Sequence, residues 1–74
     1  SGGILPCVLS AANEIAVAAF LEGKIAFSSI VPLVASVVED TVNLKNPTLS
    51  DIFAADRDAR TLAMERIGRF SRRA

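Results

Sequence analysis

The stretch Pro6 to Glu22, PCVLSAANEIAVAAFLE, decides the fold. It has no glycine and opens on a proline whose fixed φ and missing N–H suit a first helical turn, and Gly23 follows as a C-terminal stop. At ~100° per residue, Ala18, Ala11, Ile15, Val8, Ala19, Ala12, Ala16, Leu9 and Phe20 fall within one arc of roughly 200°, about double the apolar stripe of an ordinary surface helix. Ser10, Asn13 and Glu14 cluster on the remaining arc, where Val17 and Leu21 interrupt them. A helix of this kind needs neighbours on more than one side.

Downstream, Lys24 to Phe27 make a short connection, after which Ser28 or Ser29 is placed to cap a second helix. Leu33, Val37, Ile30, Val34, Val38, Val31 and Val42 again span about 200°, with Ser36, Glu39 and Asp40 opposite. The many β-branched residues make a short buried strand the rival reading, but length and spacing favour helix. Asn43 to Pro47 breaks the pattern. Thr48 with Asp51 three residues on resembles a capping box, leading into a short helical turn, Leu49 to Ala54. Asp56 then caps a last helix from Arg57 to about Phe70, where Arg66, Arg69, Arg72 and Arg73 complement the negative end of the dipole. The expected fold is all-α: three main helices plus a short helical turn.

On the last helix Ala59, Phe70, Ala63, Ile67 and Met64 form the apolar face, and Arg60 lies within it. Two readings stand. Its stem covers apolar surface while the head reaches water or pairs with Asp56 one turn earlier. Alternatively it forms a partly buried ion pair with Glu14, the mid-helix charge of the most apolar helix. Structural roles therefore fall on Asn13, Glu14, Asp56 and Arg60.

The chain has 74 residues, enough for one small domain and too few for a cleft between two lobes. Lys plus Arg equals Asp plus Glu at 8 each, so net charge points to no polyanionic partner. One cysteine, Cys7, forms no internal disulfide, and a reducing compartment is the default. The longest charge-free run, Ile25 to Val38, falls short of the ~20 residues of a membrane span, and no basic leader precedes an apolar core. The chain reads as soluble, with no membrane partner. Yet apolar residues make up 51% before its 4 glycines are added, above the ~45–50% usual when glycine is included. A small domain should need fewer, so the excess marks surface that something else covers.

Chemistry is nearly absent. Without histidine there is no Ser-His or Cys-His nucleophile and no His-containing zinc site. Gly23-Lys24 resembles the end of a phosphate loop, but Ile25 stands where Ser or Thr is required. Gly2-Gly3 lacks the third glycine and preceding strand of a dinucleotide fingerprint. Asp51 and Asp56 read as caps, and Asp58 as a solvated first-turn charge, rather than as metal ligands. A helix-turn-helix reading of Ala19, Gly23 and Ile30 fails because Ser29 to Thr41 has no Arg, Lys, Asn or Gln with which to reach nucleic acid.

The run Gly2-Gly3-Ile4-Leu5-Pro6-Cys7-Val8-Leu9-Ser10-Ala11-Ala12-Asn13-Glu14-Ile15-Ala16-Val17-Ala18-Ala19-Phe20-Leu21 resembles the start of the C-terminal helical domain of the 1-deoxy-D-xylulose 5-phosphate reductoisomerase family. The likeness continues through Gly23-Lys24-Ile25-Ala26-Phe27 and Ile30 to Ala55-Asp56-Arg57-Asp58-Ala59-Arg60 with Ala63. Order and spacing agree from Gly2 to about Ile67. Ser10 departs from the family's asparagine at a position that is not catalytic.

The resemblance implies a parent enzyme that converts 1-deoxy-D-xylulose 5-phosphate to 2-C-methyl-D-erythritol 4-phosphate in non-mevalonate isoprenoid synthesis. It implies NADPH and Mg2+ or Mn2+ as cofactors, a homodimer, and a cytoplasmic (bacterial) or plastid-stroma location. The dinucleotide-binding and central catalytic domains are implied to lie upstream of Ser1, so residues 1–74 hold no catalytic, cofactor-binding or metal residue. The segment is implied to be part of a four-helix-bundle-like domain whose first helix precedes it. Its partners are then the remaining domains of the parent enzyme, and alone it is expected either to self-associate through the apolar groove that the absent helix leaves or to behave as a loosely packed helical state. The competing reading is a free-standing helical protein-interaction module.

Overall fold

The computed structural model describes residues 3–41 and 46–71. The chain forms α1 (Leu5–Leu21), α2 (Ile30–Glu39) and α3 (Leu49–Ile67), with single 3-10 turns at Phe27–Ser29 and Gly68–Phe70. The all-α expectation holds, and among the described residues β pairing is limited to one isolated bridge between Ile25 and Ser71. Val42, Asn43, Arg72 and Arg73, which entered the readings above, lie outside the described residues.

α1 begins with Pro6 in its first turn and ends where Gly23 adopts φ 80°. The Gly23 N–H donates to Phe20 O and the Lys24 N–H to Ala19 O, both at 2.9 Å, which is the paired bonding of a Schellman stop. The positive φ is what requires glycine there. Phe27 then stacks edge-on against Phe20, with centroids 5.5 Å apart, and lays the connection back on α1.

Neither serine before α2 caps it through its side chain. Capping needs extended backbone at the cap residue, whereas Ser29 sits at φ −90°, ψ −10° inside the 3-10 turn, and the extended residue is Ala26. The C-terminal end of α2 is better secured. The Asp40 N–H and the Thr41 hydroxyl both donate to Val37 O, the Thr41 N–H to Val38 O, and the Ser36 hydroxyl to Leu33 O.

The largest correction concerns the last third of the chain. Leu49 to Ala54 is not a separate turn, and Asp56 does not cap a new helix; both belong to one continuous 19-residue α3. Thr48 starts it through a complete capping box, its Oγ1 accepting from the Asp51 N–H at 3.0 Å while the Asp51 carboxylate accepts from the Thr48 N–H at 2.9 Å. No glycine or proline follows until Gly68, and an interior Asp costs a helix at most ~0.7 kcal/mol relative to Ala, too little to break it.

α1 is the central element, packing along both α2 and α3, which touch each other less. The core joins Val8, Ala11, Ala12, Ala16 and Ala19 of α1 to Ile30, Leu33, Val34 and Val37 of α2 and Ala59 and Ala63 of α3, with Ile4 and Ile25 closing its ends. Each large side chain so buried gains roughly 1.5–3 kcal/mol of gross transfer free energy. The broad apolar arcs are covered only in part. On α1 the flanking Ala18 and Leu9 are exposed, and on α2 the flanking Val31 is 75% exposed.

Candidate functional site

The exposed flanks of α1 and α2 meet. Leu9 and Asn13 from α1, with Ile30, Val31, Val34, Ala35 and Val38 from α2, line an open groove of about 320 Å³. Six of these seven side chains are apolar and none is charged, so Asn13 is the single polar group available to orient anything seated there. On the helical wheel Val31 lies about 60° beyond Val34, just past that edge of the stripe that Ile30, Leu33, Val34 and Val37 bury, and so it is exposed. A site of this composition can bind an apolar helix face. It offers no nucleophile, general base or anion cradle.

Glu14, Asp56 and Arg60 come together on another side of α1. The Arg60 Nη2 donates to Glu14 Oε1 at 2.7 Å and its Nε to Asp56 Oδ2 at 3.0 Å, so one guanidinium joins α1 to α3 while holding a carboxylate of its own helix. Both readings of Arg60 therefore describe part of the geometry. The partly buried pair expected with Glu14 is a surface pair, since the Glu14 side chain is 66% exposed and Arg60 35%. Hydrogen bonds to Glu14 and then Asp56 hold the Arg60 proton more tightly than usual and raise its pKa.

Arg66 carries a role that the wheel did not reveal. It does more than complement the dipole of its own helix: it donates to Ser36 O at 2.6 Å, in the last turn of α2, and to the carboxylate of Asp40, the residue that ends that helix. An acidic residue at a helix C-terminus meets the negative end of the dipole, and the guanidinium offsets that repulsion while satisfying a terminal carbonyl. The signal available in sequence was Asp40 itself, an anion at a helix end that requires a cation from elsewhere.

Residues 1–62 match the family model described as the DXP reductoisomerase C-terminal domain. The chain belongs to this family. Proteins named 1-deoxy-D-xylulose 5-phosphate reductoisomerase are similar to it throughout: one from Thermomicrobium roseum is 51% identical over 75 residues, covering 100% of this chain and 20% of that protein. One from Cupriavidus metallidurans is 47% identical over 68 residues, 92% of this chain and 17% of that protein. A third, from Symbiobacterium thermophilum, is 50% identical over 64 residues, 86% and 16% respectively. The chain thus spans a fifth or less of the length of these curated relatives.

For a DXP reductoisomerase C-terminal domain, the donor set is informative about where a metal would sit. Among the described residues no three Asp, Glu, Cys or His side chains converge as ligands. Asp40 and Asp58 are engaged by Arg66 and Arg57, Asp51 by its capping box, and Glu14 and Asp56 by Arg60. These residues do not fit a divalent ion, nor do Gly2-Gly3 supply the spacing of a dinucleotide cradle. Among the described residues no helix is long and apolar enough to cross a membrane.

Proposed function

We propose that residues 1–74 are the bracing C-terminal domain of an enzyme that converts 1-deoxy-D-xylulose 5-phosphate to 2-C-methyl-D-erythritol 4-phosphate. That enzyme uses NADPH and Mg2+ or Mn2+, works as a homodimer, and resides in the bacterial cytoplasm or the plastid stroma. Its nicotinamide-binding and metal-binding residues belong to domains outside this chain. The observation that carries the reading is the family match across residues 1–62, together with close relatives several times longer than the chain. The same match disfavours a free-standing interaction module.

The uncharged groove between α1 and α2 gives the brace its attachment: a helix of the parent polypeptide seats there and completes a four-helix bundle. When that helix is absent, a second copy of the chain takes its place. The carboxylates already engaged by arginines argue that this segment holds structure rather than substrate. Calorimetric titration of the isolated chain with NADPH, and separately with Mg2+, is expected to give no saturable micromolar binding. Saturable micromolar binding of either would overturn the assignment of a non-catalytic segment.

A further inference from the structure

We draw no further inference here: the strongest candidate, the exposed apolar stripe that Leu49, Phe53 and Met64 form along α3 on the side of Arg60, is an unpartnered helix face, and nothing in the structure shows what covers it.

Discussion

Arg60 and Arg66 sit less than two turns apart on α3, yet their environments assign them different weight. Arg60 divides its donors between two half- to well-exposed carboxylates, so removing either partner leaves the other in place. Glu14→Gln and Asp56→Asn are each expected to lower the melting temperature only slightly, and the double variant by more than the sum, because only the double variant strands the guanidinium. Strict additivity across that cycle would show that the two carboxylates act independently. The sign of the linkage is also fixed. Arg60 has a raised folded pKa, so its contribution is fully present below the ordinary guanidinium range and is lost only as pH rises beyond it. Deprotonation of Arg60 therefore adds no pH dependence to unfolding near neutrality. Arg66 is only 13% exposed and serves a backbone carbonyl as well as a carboxylate. Arg66→Met should cost ~1.5–3 kcal/mol in chemical denaturation, the range for hydrogen bonds to charged groups, and clearly more than Arg57→Met, whose pair with Asp58 is well exposed.

At the scale of elements, each helix owes its boundaries to a different device. α3 depends on the Thr48–Asp51 box, and Thr48→Ala is expected to remove ~1 kcal/mol, within the 0.5–2 range for lost caps, with the loss seen as faster amide exchange in the first turn of α3. Unchanged exchange there would show that tertiary contacts, not the cap, define the start. α1 was legible almost to the residue, Pro6 to Glu22 against Leu5–Leu21, because a first-turn proline and a positive-φ glycine are local signals. α2 was legible as a helix by its spacing, although its start was not, because a 3-10 turn keeps Ser29 out of the extended conformation that makes a cap. Asp56 has the chemistry of a cap and so suggests a break that α3 does not have, because Arg60 at the next turn engages its carboxylate instead. Of the residues singled out for structural roles, Glu14, Asp56 and Arg60 assemble into one ionic clasp, while Asn13 stands apart in the groove. A helical wheel names the residues on a face but not which of several neighbours each will meet, and so the long-range service of Arg66 to α2 went unread.

Taken whole, the molecule leaves its two broad apolar arcs half covered. Leu9 is 51% and Val31 75% exposed, so completing their burial would recover roughly 2–4 kcal/mol of gross transfer free energy, against a net domain stability of about 5–15 kcal/mol. The isolated chain is accordingly expected to sediment as concentration-dependent oligomers, and Leu9→Asp with Val31→Asp to return it to a monomer without loss of helical circular dichroism. A wild-type chain that stays monomeric at high concentration, and binds no dye specific for apolar surface, would rule out the groove as an adhesive face. Among the described residues, six of the thirteen buried apolar positions are alanine, all on α1 and α3. An alanine has no rotamer to exchange, so burying it costs no side-chain entropy, and a seam made of alanines has nothing that can rearrange when pushed. Adding volume there is costly because nothing can move aside: Ala63→Leu is expected to destabilise by ~1–3 kcal/mol in thermal melts. The mechanical corollary is stiffness. The buried alanines of α1 and α3 offer no rotamer that could absorb a shift, so at those positions a displacement of one helix is passed to the other rather than taken up by side chains.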